Sequence, residues 1–271
     1  MKLASLARGG VAEVHGEALR VLDAPSMLAW LTGSGRGATG EELPLEGTPL
    51  LAPVPEPPSF RDFYAFEGHA SRGAELRGVE LARHWYEAPV FYFSNPASIV
   101  GPGAPISRPE GSTRLDFELE TCAVIGAGGE IAGFTLLNDW SARDLQRAEM
   151  GVGLGPAKGK DFATSLGPFL VTVDELPYAD GRLHLEARVT LDGRELTRSD
   201  AAAQYHSWPA ILAHAARGTR LRTGDLLGSG TLNRGCLLEL GPLDGEKRWI
   251  EPGDVVALHA DALGTLDTPV T

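Results

Sequence analysis

Leu115-Asp116-Phe117-Glu118-Leu119-Glu120 is the stretch on which the fold and the chemistry of this chain turn. On an extended strand, successive side chains point to opposite faces. Phe117 and Leu119 then share one face and Glu118 and Glu120 the other, with the two carboxylates roughly 6–7 Å apart. The solvated outer face of an antiparallel strand accounts for such a pair. A buried site accounts for it only if a cation sits between the charges, because like charges repel. Hard divalent cations take carboxylate oxygens and are the natural answer.

The flanking sequence continues in strands. Residues 115–125 and 131–137 read as strands around Gly126-Ala127-Gly128-Gly129 and are predicted to form a hairpin. The glycine cluster superficially suggests a dinucleotide loop, but it is incomplete and a strand follows it instead of a helix. Asn138-Asp139 should end the second strand and open a helix, with Asp139 or Ser141 as its cap. Asp192-Gly193, between runs at 183–191 and 194–197, signals a type I′ hairpin. Ser207-Trp208-Pro209 begins a helix that Gly218 stops. Gly224-Asp225 and Gly253-Asp254 are turns that lead into apolar strands.

Toward the N-terminus, residues 63–81 suit a helix and residues 90–93 a short aromatic strand. Residues 1–50 hold β-like runs at 11–14 and 18–22 and a short helix around 27–31. Pro53, Pro55, Pro57 and Pro58 cannot continue a helix or a central strand. They read as a linker, giving a small N-terminal β domain with linker over 1–58 and a main domain over 59–271, which the resemblance described below implies to be a metal-dependent catalytic domain. The fold class is a β-rich α+β protein with mostly antiparallel strands.

The chain has 271 residues, 43% hydrophobic and 22% charged, enough for a sizeable core. Its net charge is −12 and its pI about 5.0. There is no basic stripe, so neither nucleic acid nor an anionic membrane is an expected partner. Two cysteines without paired spacing point to a reduced compartment. The first residues lack a signal-peptide core, and no apolar run is long enough to span a bilayer; a cytoplasmic location is expected.

Four segments carry residues with chemistry. Asp62 and His69, seven apart, would share a face of a helix, although such a pair also occurs as surface decoration. Glu118 and Glu120 are the second segment. The third is Asn138-Asp139-Trp140-Ser141-Ala142-Arg143-Asp144-Leu145-Gln146, where Asp139 has an ordinary capping role as its simpler explanation. The fourth is Gly159-Lys160-Asp161-Phe162, in which the glycine permits close approach of the backbone to a ligand. Asp62, Glu118, Glu120 and Asp139 together make an all-oxygen shell suited to Mg²⁺, Ca²⁺ or Mn²⁺. Zinc-type Cys/His spacing and a G-x-S-x-G nucleophile motif are both missing from the sequence.

These segments, with Gly228-Ser229-Gly230-Thr231 after them, occur in an order that resembles the fumarylacetoacetate hydrolase family from about residue 59 to the C-terminus. The resemblance implies a mixed β-sandwich roll, usually dimeric, preceded here by the small N-terminal β element. It puts Asp62, Glu118, Glu120 and Asp139 on the family's metal ligands, with Mg²⁺ the first choice of cofactor and Ca²⁺ or Mn²⁺ compatible. His69 falls on the general base, and Glu239, in Gly235-Cys236-Leu237-Leu238-Glu239, on the carboxylate that orients it. Tyr92, Gln146, Lys160 and Thr231 fall on substrate-contacting positions, and Lys160 also on an oxyanion-stabilising role. Two positions depart from the member that acts in tyrosine degradation. Its substrate Arg falls on Gly78, with Arg77 or Arg83 nearby, and its substrate Tyr falls on Met150.

The function this implies is metal-dependent hydrolysis of a C–C bond in a β-diketo or 2-oxo acid of the fumarylacetoacetate or acylpyruvate type. The partners are a small oxo-acid and, in a homodimer, a second copy. Decarboxylation or isomerisation of 2-oxo or 2-hydroxydienoic diacids would use the same residues. A non-catalytic dicarboxylate-binding protein would keep the site without turnover.

Overall fold

The structure is a computed structural model that describes residues 1–241 and 248–271. Among the described residues, fourteen of the twenty strands carry the architecture. In the first half they are β1 (Lys2–Leu6), β2 (Val11–His15), β3 (Ala18–Leu22), β4 (Ala38–Pro44), β5 (Phe60–Phe63), β6 (Phe91–Phe93) and β7 (Leu119–Ile125). In the second half they are β8 (Ile131–Asp139), β9 (Thr164–Thr172), β10 (Glu186–Leu191), β11 (Arg194–Asp200), β12 (Leu226–Gly228), β13 (Val255–Ala260) and β14 (Gly264–Pro269). The helices are α1 (Met27–Leu31), α2 (Glu67–Leu76), α3 (Arg83–Glu87), α4 (Arg143–Met150), α5 (Trp208–Ala216) and α6 (Leu237–Leu240).

The larger sheet runs in the order β4-β3-β2-β1-β9-β8-β7-β12-β5-β6, with Leu50–Leu51 added on β1 and Ile99–Val100 on β9. Most of its neighbours are antiparallel; β12 and β5 pair in parallel, as do Ile99–Val100 and β9. The smaller sheet is antiparallel, β11-β10-β13-β14. One face of the larger sheet, with Phe134, Leu136, Ala123, Ile125 and Val171, shares a core with Val189, Leu258 and Leu266 of the smaller sheet. The other face, with Phe60, Cys122, Val124, Leu137 and Leu166, is covered by Met27, Trp30 and Leu31 of α1 and by Ala52 and Val54. The N-terminal strands therefore continue the same sheet, through β1 on β9, and the proline-rich stretch lies against its face. The protein is β-rich, as the alternating sequence anticipates.

Several local expectations hold. Asp192 and Gly193 both have positive φ, 50° and 79°, as the two centre residues of a type I′ turn require. They join β10 to β11 as a tight antiparallel hairpin. Proline stands in the first turn of α5, and Gly218, at φ 74°, follows its end.

Three expectations are corrected. The strand expected over 115–125 is interrupted: Leu115–Asp116 pairs with Ser141–Ala142, and β7 starts at Leu119. The helix expected over 63–81 is confined to α2 and begins after Asp62, which lies on β5. Asp62 and His69 therefore do not share a helix face; pairing of β5 with both β12 and β6 overrides the helical spacing. Neither Asp139 nor Ser141 caps α4, whose N-cap is Ala142 with no side-chain cap bond, because Asp139 closes β8 instead. No helix among the described residues is long and apolar enough to cross a membrane.

Trp208 anchors α5 in the larger core, fully buried with its ring centroid 4.9 Å from that of Phe134. Replacing it with alanine should cost about 3–5 kcal/mol, read by urea denaturation. A loss below about 1 kcal/mol would show that this contact does not hold the helix to the sheet.

Candidate active site

Strand direction gathers the acidic side chains. β7 is antiparallel to β8 and to β12, and β12 is parallel to β5. The start of β7 therefore lies beside the ends of β8, β12 and β5. Glu120, Asp139 and Asp62 occupy those ends, on the face that carries Cys122, Leu137 and Phe60 further down. Gly228 on β12 is directly opposite Asp62, and a Cβ there would lie 2.3 Å from Asp62 Oδ1 and 3.3 Å from Glu120 Oε2. A glycine is required for the carboxylates to approach across that strand.

Glu118 enters from the break before β7, where its N–H donates to Asn138 Oδ1 at 2.9 Å. The four carboxylates are almost wholly enclosed, between 0 and 4% exposed. This excludes the solvated outer face that the alternation alone allows. Lys160 donates through Nζ to both Glu118 and Asp139. Arg143 donates through Nη1 to Glu118 Oε1 at 2.8 Å and through Nε to Asp116 Oδ2 at 2.8 Å. Tyr92, opposite Asp62 on β6, donates its hydroxyl to Asp139. The Gly230 N–H donates to Glu120 Oε2 at 3.1 Å.

The electrostatics divide the cluster. Burial pushes the Glu118 carboxyl up, but Lys160, Arg143 and His69 outweigh it and hold its pKa down at about 2. Burial followed by the Asp139 charge raises Asp62 well above the carboxylate range, and burial followed by Asp62 does the same for Glu120. Burial also raises Asp139, against the pull of Lys160. Lys160 stays protonated: burial works against its charge, and Asp139 and Glu118 more than restore it. Among the described residues, Asp62 Oδ1, Glu120 Oε1 and Asp139 Oδ1 are buried without a hydrogen-bond partner. Three hard oxygen atoms without donors, on groups that burial disfavours as anions, fit an oxygen-seeking divalent cation.

A second cluster borders the first. His69, near the start of α2, places Nδ1 2.9 Å from Glu239 Oε2 on α6. The other Glu239 oxygen accepts the Arg234 N–H at 3.0 Å. Burial opposes the Glu239 charge, and the His69 contact outweighs it, lowering its pKa. An ionised Glu239 fixes the proton on Nδ1 and leaves Nε2 as the free basic nitrogen. Asp116 joins the clusters, since its oxygens accept the Leu237 and Leu238 N–H groups at the start of α6 while pairing with Arg143. Gln146 on α4 accepts from Arg143 Nη1 at 3.1 Å, and Thr231, buried, follows Gly230.

Every site residue named from the sequence thus lies in or beside these two clusters. Arg143, Asp116 and Tyr64 were not singled out. Arg143 stands inside the quoted 138–146 segment, but its span from Asp116 to Glu118 depends on the break at 117–118. The Tyr64 ring meets His69 edge-on at 5.2 Å, and Arg77 is beside the Tyr64 hydroxyl. Arg83 instead pairs with Glu87 at the surface.

Comparisons with known proteins place the chain in a family. The family model described as fumarylacetoacetate (FAA) hydrolase C-terminal matches residues 59–271. The fumarylacetoacetase of Arabidopsis thaliana is 35% identical over 243 residues, 67% of this chain and 58% of that protein. The fumarylacetoacetase of Oryza sativa subsp. japonica is 30% identical over 293 residues, 82% of this chain and 68% of that protein. The solved 2-hydroxyhepta-2,4-diene-1,7-dioate isomerase of Mycobacterium marinum is 26% identical, with a TM-score of 0.75 over 100% of this chain and 98% of that one. The chain belongs to the fumarylacetoacetate hydrolase family. It spans less than two thirds of the length of the Arabidopsis relative.

Lys160 is the cation between Glu118 and Asp139, so its loss leaves buried like charges facing each other. Lys160→Met should destabilise the protein in EDTA by about 3–5 kcal/mol, measured by chemical denaturation. Unchanged stability would mean that the ammonium does not hold this cluster together.

Proposed function

We propose that the protein is a divalent-metal-dependent hydrolase that cleaves a C–C bond of a β-diketo or 2-oxo acid. The observation that carries this proposal is the His69–Glu239 contact of 2.9 Å set beside a buried carboxylate cluster with unpartnered oxygens. Asp62, Glu118, Glu120 and Asp139 would hold the cation, Mg²⁺ first. Bound there, it would supply Lewis-acid polarisation of a substrate carbonyl.

The chain's own residues do the rest. His69, held in one tautomer by Glu239, takes a proton from water through Nε2, and the hydroxide adds to the substrate carbonyl carbon. Lys160, which remains charged, and Gln146 offset the negative charge that develops on the carbonyl oxygen. The C–C bond then breaks, and its electron pair moves onto the neighbouring carbonyl of the departing fragment. Protonated His69 returns the proton to that fragment. Tyr92 and Thr231 orient the acid. Gly78 and Met150, which depart from the tyrosine-degradation member, leave the identity of the acid to a panel of oxo-acids. A homodimer in the cytoplasm is part of the same proposal.

Isomerisation of a dienoic diacid, with decarboxylation by the same residues beside it, is the second reading; the likeness to the M. marinum isomerase favours the isomerisation. The products separate the two. Hydrolysis yields two fragments that together contain one added water, whereas isomerisation keeps the formula and decarboxylation releases CO₂.

His69→Ala should lower kcat on a cleaved substrate by about 10²–10⁴. Full kcat in that variant would remove His69 from the base role. Treatment with EDTA should abolish turnover of acetylpyruvate or fumarylacetoacetate, and added Mg²⁺ should restore it. Turnover that persists without metal would rule out the assignment of the carboxylates.

A further inference from the structure

Cys236 stands where the proposed mechanism has no use for it. It is fully buried, one turn before Glu239, and its Sγ donates to Glu239 Oε2 at 3.3 Å. The same sulfur is 4.0 Å from His69 Nδ1, which is itself 2.9 Å from that carboxylate oxygen. One nitrogen, one sulfur and one oxygen therefore form a triangle on three segments of the chain. A tetrahedral zinc ion, with Zn–S about 2.3 Å and Zn–N or Zn–O about 2.0–2.1 Å, spaces its donors about 3.3–3.6 Å apart. Each side of the observed triangle is within about 0.5 Å of that spacing.

We infer that His69, Cys236 and Glu239 form a second cation site, selective for a borderline-soft ion of the zinc class, whose occupation switches the enzyme off. The inhibitory half of this inference rests on His69 acting as the base; the existence of the site does not. Its donors differ in kind from the all-carboxylate cluster. Thiolate and imidazole select zinc-like ions, while carboxylates alone suit Mg²⁺ and Ca²⁺. One thiolate, one carboxylate and one neutral imidazole also make a neutral complex with a divalent ion, which lowers the cost of burying it. Three protein donors leave the fourth ligand of such an ion to a water molecule.

The proton balance explains the inhibition. On binding, the Cys236 thiol releases its proton to solvent, since a coordinating thiol is deprotonated outright. The imidazole proton leaves Nδ1 for the metal and resides on Nε2 instead. Nε2 then carries a hydrogen and can no longer take one from water.

The test uses the full-length protein in excess Mg²⁺, titrated with Co²⁺ as a visible substitute for zinc. A near-ultraviolet thiolate-to-cobalt charge-transfer band is expected in the unmodified protein and should vanish in both Cys236→Ser and Cys236→Ala. Absence of the band in the unmodified protein, or its persistence in both variants through Cys122, would overturn the site. In parallel, Zn²⁺ is titrated against turnover, each variant being normalised to its own Mg²⁺-supported rate. Cys236→Ser should raise the inhibitory Zn²⁺ concentration at least about tenfold. A cobalt band that depends on Cys236 without zinc inhibition would leave the site standing and refute the base role of His69.

Discussion

Enclosing acidic side chains where water cannot reach them is the constraint on which this structure depends. Asp62, Asp116, Glu118, Glu120 and Asp139 are all at most 4% exposed, yet Lys160 and Arg143 are the cations that contact them among the described residues. An ionised carboxylate taken from water without a partner costs several kcal/mol even after relaxation. The protein distributes that cost unevenly. Glu118 has a donor on each oxygen and is held ionised, whereas Asp62 and Glu120 are left with atoms that no donor reaches. Such groups favour a shared proton or a bound cation, and natural proteins tolerate them mainly at functional sites.

The architecture supports this by rigidity more than by charge. The acids sit at the ends of neighbouring strands in a sheet packed on both faces, so none is free to swing toward solvent. Gly228 removes the one side chain that would block their convergence. Asp116 then serves two clusters at once, fixing Arg143 on one side and the start of α6 on the other. Displacement of the arginine would therefore disturb both Glu118 and the segment that bears Glu239. The two clusters are mechanically one unit, though their donors differ.

Local chemistry was legible wherever a few residues settle it. Asp192-Gly193 and the start of α5 at Trp208-Pro209 need only backbone preferences, and both fell where the sequence put them. The pairing of Glu118 with Glu120 on one side was also readable, although the strand that was to carry them breaks between Asp116 and Leu119. The seven-residue spacing of Asp62 and His69 suits a helix, whereas the strand of Asp62 is stabilised by Leu226–Gly228, far away in the chain. A strand-to-helix junction is the usual place for a cap, so local pattern offers Asp139 that role beside its place among the carboxylates. Its real neighbours, Lys160 and Tyr92, come from segments that local pattern cannot bring together. Cys236 gave no signal, since buried cysteines are ordinary core residues.

The order of the strands also bears on how the chain is made. Lys2 and Leu3 pair with Val171 and Leu170, and Asp62 with Gly228. A ribosome delivers about 5–20 residues per second, so β1 waits for β9, and β5 for β12, for about 10 s or more after synthesis. During that interval β1 to β4 can pair with one another, but the apolar faces they share with the rest of the larger sheet lack that sheet. Nascent chains of this protein should depend on holdase chaperones until β9 and β12 have emerged, and truncations before residue 228 should be recovered as chaperone clients.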